Sequence, residues 1–358
     1  MTLRLAPALG ALLARAIADR VTPGAIVEVG SHAGPHLIEV AGRLNYAADA
    51  PAVTADTWYD LASLTKVMAA GTAAMRLAAD GRLPLDTRVA RLLPTFTGDG
   101  RDDVTVADLL GHCAGLPAHR PYYRRVAGAA AFRRAIAAEP LAYTPRLKHE
   151  YTDLGFILLG QAIEAAAGAS LAAVFAAWRH AAIPGAAVAF GPIRGADRPP
   201  VAPTEADPWR GRVLVGEVHD ANAAALGGAA GHAGLFGTAA AVGAFARWFL
   251  RLWLGVDRES AGVPSGMAAH FAARGSVPDS SRALAWDTML PTSSCGAHFA
   301  PNAVGHTGFT GTSLWIDPVR RAYVVLLTNR VHPGAATGEG IRALRVAVHD
   351  AVAAAWEA

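Results

Sequence analysis

The residues best suited to chemistry are Ser63 and Lys66, in the stretch Asp60-Leu61-Ala62-Ser63-Leu64-Thr65-Lys66. A serine and a lysine at this spacing lie on one helix face about one turn apart, so the amine can reach the hydroxyl. If Ser63 opens that helix, its own backbone N–H is one of the unpaired donors of the first turn and can hold a developing oxyanion. A nucleophile, a proton acceptor and half of an oxyanion hole then come from four consecutive residues. Ser-x-x-Lys is equally the pattern of a helix start with a solvated lysine, so its weight depends on partners further along the chain.

Two downstream stretches could supply them. Tyr151-Thr152-Asp153 precedes the apolar run from Leu154 to Gly160. It reads either as a helix cap, with Asp153 satisfying the first N–H groups, or as a phenol and a carboxylate presented two positions apart across a cleft. Gly305-His306-Thr307-Gly308-Phe309-Thr310-Gly311 stands at a strand end. Its glycines make an ordinary hairpin, or they let a substrate lie along the strand against free N–H donors.

The elements that must hold these groups follow from periodicity and punctuation. An amphipathic first helix leads to two strands, around 24–30 and 36–42, joined by a Gly/His/Pro turn. From Ser63 to about Leu254 the pattern is mainly helical, with a capping box at Thr105 and Asp108, helices over 128–138, 151–168 and 170–180, and a long loop between Pro184 and Trp209. Beyond Gly255 come short β-rich runs at 283–287, 304–308, 312–317 and 322–329, then a last helix from Glu339 to about Trp356. Strands at both ends and helices between them predict an α+β chain: one antiparallel sheet built from 1–62 and 255–358 with flanking terminal helices, a mostly helical insertion over 63–254, and the active site in the cleft between them.

Composition removes several alternatives. The chain has 358 residues, 53% hydrophobic and 17% charged, with a net charge of +3 and no run of Lys or Arg, so no nucleic-acid footprint is expected. Cys113 and Cys295 are too few for a disulfide framework and lack metal-ligand spacing, so they read as buried thiols, and neither a metal nor another cofactor is expected. The longest uncharged stretch, 221–246, exceeds the roughly 20 residues that span a bilayer, but its glycines, with Asn222, His232 and Thr238, make it a buried loop feeding a helix rather than a membrane span. The first ten residues lack the form of an export signal, which leads to the expectation of a cytoplasmic protein.

Five fragments in order, Ser63-x-x-Lys66, Leu110-Gly-His112-x-x-Gly115-Leu116-Pro117, Tyr151-Thr152-Asp153, Ala233-Gly234-Leu235 and His306-Thr307-Gly308, make nearly the whole chain similar to the serine β-lactamase and penicillin-binding-protein family, in the branch of class C β-lactamases, D-aminopeptidases and related esterases. The resemblance implies a β-lactamase/transpeptidase-like fold, with Ser63 as the acylated nucleophile and Lys66 and Tyr151 as the proton-transfer pair. It implies an oxyanion hole from the N–H groups of Ser63 and Phe309, and Asp153, His306, Thr307, Gly308 and His112 as substrate-binding residues. The implied substrate is a small or peptide-like ester or amide: the protein would be an esterase, a D-amino-acid peptidase or a weak β-lactamase. The competing reading is a catalytically idle module that binds peptidoglycan fragments or acts as a sensor.

Two positions depart from the family pattern. Asp153 stands where asparagine is more usual, and its carboxylate favours a charged Lys66, so the proton acceptor becomes a Tyr151 phenolate steadied by the lysine. His306 stands where lysine is more usual. An unperturbed histidine titrates near about pH 6.5, so a substrate carboxylate would lose a fixed cation and bind more tightly as pH falls. Esters or amides are therefore expected to outrank penicillins.

Overall fold

The computed structural model describes residues 2–195, 197–335 and 338–357. Helix α1 (Thr2–Ala18) leads into strands β1 (Gly24–Ser31) and β2 (Gly34–Gly42). The helical middle of the chain contains α2 (Thr72–Ala79), α3 (Asp153–Ala167), α4 (Leu171–Ala182) and α5 (Ala239–Trp253). Strands β3 (Asp287–Thr288), β4 (Val304–Thr307), β5 (Ser313–Asp317) and β6 (Ala322–Thr328) follow, and α6 (Glu339–Glu357) ends the chain.

The six strands form one antiparallel sheet in the order β3-β4-β5-β6-β1-β2, so strands from the two chain ends meet at β6 and β1. Alternation along β1 explains the layering. Ala25, Val27 and Val29 point to the face covered by Leu5, Leu9 and Leu13 of α1 and by Leu344, Val348 and Val352 of α6. Ile26 joins Val325 and Leu327 of β6 on the other face, packed with Val242, Phe245 and Phe249 of α5. Each of the Val, Leu, Ile and Phe side chains contributes about 1.5–3 kcal/mol on burial. A sheet covered on both faces is buried throughout, and every residue of β6 is.

The central helix α3 is apolar on all sides because it is enclosed: Leu154 through Ile163 are buried. It is capped by Thr152, whose hydroxyl accepts from the N–H groups of Leu154 and Gly155, and it ends on Gly168 in the left-handed region at φ 65°. The cap is thus Thr152 rather than Asp153, which leaves the carboxylate free to point elsewhere. The Thr105–Asp108 capping box forms as expected.

The segment read as a loop between Pro184 and Trp209, of which residue 196 lies outside the described residues, carries two short pairings. Val188–Phe190 pairs with Leu235–Gly237, and Ala206–Asp207 pairs with Arg212–Val213. Runs of two or three residues are too short to show an alternating pattern. Both cysteines are free and buried. No single described helix is long and apolar enough to cross a membrane; the pair α3 and α4, bent by 74°, passes only on length and composition together.

Candidate active site

Ser63 sits on a strained turn that the surrounding residues hold in place. Ala62, immediately before it, has φ 47°, a left-handed conformation that costs a non-glycine residue about 1–3 kcal/mol. The buried Asp60 braces it: Oδ1 accepts from the Ala62 N–H at 2.8 Å and Oδ2 from the His219 N–H at 2.6 Å. Thr310 donates its hydroxyl to the Asp60 carbonyl at 2.7 Å, and Thr312 donates to the Leu61 carbonyl at 3.1 Å. These bonds tie the serine turn to the end of β4. Gly308 allows the approach: a Cβ there would overlap the Thr312 hydroxyl and lie 2.8 Å from the Leu61 carbonyl.

Helix begins just after Ser63 and runs as a π-helical turn over Lys66–Gly71 before α2. Such turns cluster at functional sites because they re-aim a side chain within a helix. Lys66 is fully buried, and its ammonium is a hub. It donates to the Ser63 hydroxyl at 3.1 Å, the Tyr151 hydroxyl at 2.6 Å and Asp153 Oδ1 at 2.7 Å. Three donors on one nitrogen are thereby all used. Burial alone would pull the ammonium down, but the Asp153 carboxylate and the Tyr151 oxygen outweigh it and hold Lys66 above the ordinary lysine value. Burial likewise opposes ionisation of Asp153, yet Lys66 and His119, whose Nδ1 lies 3.7 Å from the carboxylate, keep it well below the usual range. The pair is ionised, and Lys66 is an ammonium at neutral pH.

Tyr151 is fixed from behind. His112, with φ 55°, is fully buried; its Nδ1 accepts the Thr152 N–H at 3.1 Å and its ring packs on Tyr151 and Phe156 with centroids 4.7 and 4.9 Å away. It does not line the cleft, so the expected substrate contact is replaced by contact with the phenol. Burial, together with Arg282 and Lys66, holds its imidazole well below its ordinary value. Cys113 is buried beside Asp108, with its thiol pushed up to about 12 by burial and that carboxylate, and it too stays out of the cleft.

His306, Thr307, Gly308 and Phe309 do line the cleft, which also takes in Ser63, Tyr151 and Asp153 and encloses about 780 Å³. The backbone N–H groups of Ser63 and Phe309 donate to no acceptor among the described residues, whereas the neighbouring Gly308 N–H is used by the Thr312 carbonyl at 2.8 Å. His306 donates through Nδ1–H to the Thr307 carbonyl, 2.9 Å away, and Nε2 has no partner among the described residues. The histidine differs from expectation in one respect. Burial, with Lys66 and Arg282 nearby, keeps it neutral far below its ordinary titration point, so it supplies no pH-dependent cation near neutrality.

A cation is present on that wall nonetheless. Arg282 lines the cleft with its guanidinium 5.2 Å above the Tyr151 ring and, among the described residues, only a distant Asp287, at 3.9 Å, as ion partner. Sequence reasoning missed it, because a single arginine in an irregular segment carries no motif. It also missed His119 and Glu205, which line the cleft, and Arg345 of α6, whose buried guanidinium donates to the Gly308 and Thr312 carbonyls and is drawn down to about 10 by burial. Among the described residues no group of three or more His, Cys, Asp and Glu could hold a metal ion.

Comparisons with known proteins place the chain and its fold. The sequence profile of the Beta-lactamase family matches residues 10–349, and the chain belongs to that family. A protein of Escherichia coli (strain K12) named "Putative D-alanyl-D-alanine carboxypeptidase" is 30% identical over 310 residues, 78% of this chain and 70% of that one. Among solved structures, EstCE1, described as a hydrolase with promiscuous acyltransferase activity, superposes with a TM-score of 0.76 at 23% identity, covering 97% of this chain and 98% of the other. The octameric penicillin-binding protein homologue from Pyrococcus abyssi gives 0.74 at 19% identity over 96% and 76%. At these identities the structures establish the shared fold, with its antiparallel sheet and helical part.

Proposed function

We propose that this beta-lactamase-family hydrolase works through a covalent acyl-enzyme on Ser63, taking peptide-like amides or esters. The observation that carries the proposal is the Lys66 ammonium bonded at once to the Ser63 hydroxyl, the Tyr151 hydroxyl and Asp153. With Lys66 charged, the serine proton passes to a Tyr151 phenolate that the ammonium steadies, as Ser63 Oγ attacks the carbonyl carbon. The carbonyl oxygen then takes the two free N–H groups of Ser63 and Phe309, each worth about 3 kcal/mol to an oxyanion. Tyr151 returns the proton to the leaving atom, and water repeats the sequence in reverse to release the acid.

Arg282 gives the leaving-group side a fixed cation, which suits a terminal carboxylate and favours a carboxypeptidase-like substrate. The name carried by the Escherichia coli relative points the same way. The test combines fluorophosphonate labelling with turnover of p-nitrophenyl butyrate, D-alanyl-p-nitroanilide and nitrocefin. Label on Ser63, none in Ser63→Ala, and faster turnover of esters or D-alanyl amides than of nitrocefin support the proposal. A folded protein that takes no label is instead the idle binding module.

A further inference from the structure

The charges lining the cleft fall into two groups of contacts, with Asp287 beside Arg282 in the first and Arg330 beside Phe309 near the second. Arg282 stands with His306 beside the Tyr151 ring. Asp153, Asp220 and Glu205 form a second, acidic group with His119, His219 and His232. If Tyr151 returns a proton to the leaving atom, the leaving group faces the Arg282 wall. With the oxyanion held between the Ser63 and Phe309 N–H groups, the acyl substituent is directed to the acidic side.

Two of those carboxylates are unusual for this molecule. Asp207, Asp108 and Glu28, all buried, each have an arginine partner. Among the described residues the only ion partner of Asp220 is His232, at 2.8 Å, beside the Ala223 N–H that its Oδ1 caps at 2.7 Å, and that of Glu205 is His219, at 3.3 Å; their side chains are 25% and 37% exposed and line the cleft. Neither has an ammonium or guanidinium to balance it. Phe309, 63% exposed, lies between His219 and Arg330, with its ring 5.4 Å from the imidazole and 4.7 Å from the guanidinium.

An independent feature also faces this side. His232 is 1% exposed and lines the cleft; its Nε2 is bonded to Asp220 Oδ1, while Nδ1 has no partner. When Nε2–H donates to the carboxylate, Nδ1 is a vacant acceptor, and a buried acceptor left unpaired costs about 1–3 kcal/mol unless a ligand donates to it. Tyr123 adds an aromatic ring to the same wall, and its edge-on partner Trp209 lies 5.0 Å away. Arg124 and Arg210 contact these two rings but do not line the cleft. Carboxylates whose only ion partners are imidazoles, a free acceptor and an aromatic face are together what a protonated amine requires.

We propose that Asp220, Glu205 and His232 form a subsite for a cationic amine on the acyl side of the cleft, so that the favoured substrates are aminoacyl esters or amides with a free, protonated amino group. This rests on the acyl-enzyme reading above, and the two can fail separately.

The test uses an isosteric pair, alanine methyl ester (each enantiomer) and methyl isobutyrate, which differ by an ammonium in place of a methyl group. Acid release is followed at pH 6.5 in the wild-type chain, Asp220→Asn and Glu205→Gln, with fluorophosphonate labelling in parallel. The expected result is a kcat/KM at least tenfold higher for one alanine ester than for the isobutyrate, with that ratio falling fivefold or more in either variant. Glu205→Gln alters a partly exposed side chain and keeps the test valid if Asp220→Asn, which also removes charge from a helix cap, fails to fold. A wild-type ratio near one, a ratio unchanged in the folded variants, or no turnover of any of the esters by a chain that labels at Ser63 overturns the subsite. Failure of Ser63 to label overturns the acyl-enzyme reading instead.

Discussion

Replacing Asp153 by asparagine removes one negative charge 2.7 Å from the Lys66 nitrogen while keeping an oxygen that can accept. Lys66 has no exposure, and the carboxylate only 21%. Breaking a buried ion pair from one side costs about 3–5 kcal/mol, because the remaining charge is buried without compensation. The retained amide oxygen and the Tyr151 hydroxyl argue for the lower end, about 3 kcal/mol. The sign of the pH dependence separates this from a simple packing loss. In the wild type Asp153 is depressed, so its contribution is present above the unfolded carboxylate value and lost only as pH falls through the folded one. Lys66 is raised, so its contribution is complete below the unfolded lysine value and lost only as pH rises through the folded one. Between those limits the pair adds no slope. Without Asp153, burial becomes the dominant influence and pulls Lys66 down. The unfolded chain then binds the extra proton, and the variant gains up to about 1.4 kcal/mol of stability per pH unit toward pH 10. Urea denaturation of both chains at pH 7, 8 and 9 measures this. A deficit below about 1 kcal/mol, or one of 3 kcal/mol that stays constant with pH, would refute the reasoning.

Three further outcomes follow from the same geometry. Tyr151→Phe keeps the ring contacts to His112 and His306 but removes the hydroxyl 2.6 Å from Lys66, so kcat should fall by about 10²–10⁴-fold in a chain that still folds, with stability lowered by about 1–3 kcal/mol for the ammonium donor left unpaired; near-normal turnover rules out the proton-transfer role. Gly308→Ala forces a Cβ against Thr312, Leu61 and Ala62, and should cost about 1–3 kcal/mol in thermal or urea unfolding and slow labelling of Ser63, whereas wild-type behaviour would mean the serine turn and β4 can separate freely. Histidine-selective NMR should find the His306 imidazole still neutral at about pH 6.5, where a free histidine is half protonated, since its charged form is disfavoured in the fold; a midpoint there contradicts the burial argument.

Much of this site was legible because chemistry and local structure coincide in sequence. Ser63 and Lys66 are neighbours on one helix, and Tyr151 and Asp153 flank the residue that caps α3, so motif spacing already fixed their relative placement. The antiparallel sheet followed from where the β-rich runs fall. The role of His112 was not legible, because a buried histidine behind a tyrosine and one facing a cleft share the same residue type and the same flanking glycines. Nor were Arg282 and Glu205: they come from irregular segments with no period, and only the fold brings them to one cleft. The neutrality of His306 required its burial and its two cationic neighbours, neither of which a sequence states.

The acyl-transfer proposal is tested most directly by rapid-quench mass spectrometry during turnover of a slow ester or a penicillin. A covalent acyl group mapped to Ser63, appearing and decaying at rates that account for steady-state turnover and absent in Ser63→Ala, is the predicted result. Product release with no acylated Ser63 at any quench time, or with the adduct on another residue, would contradict it.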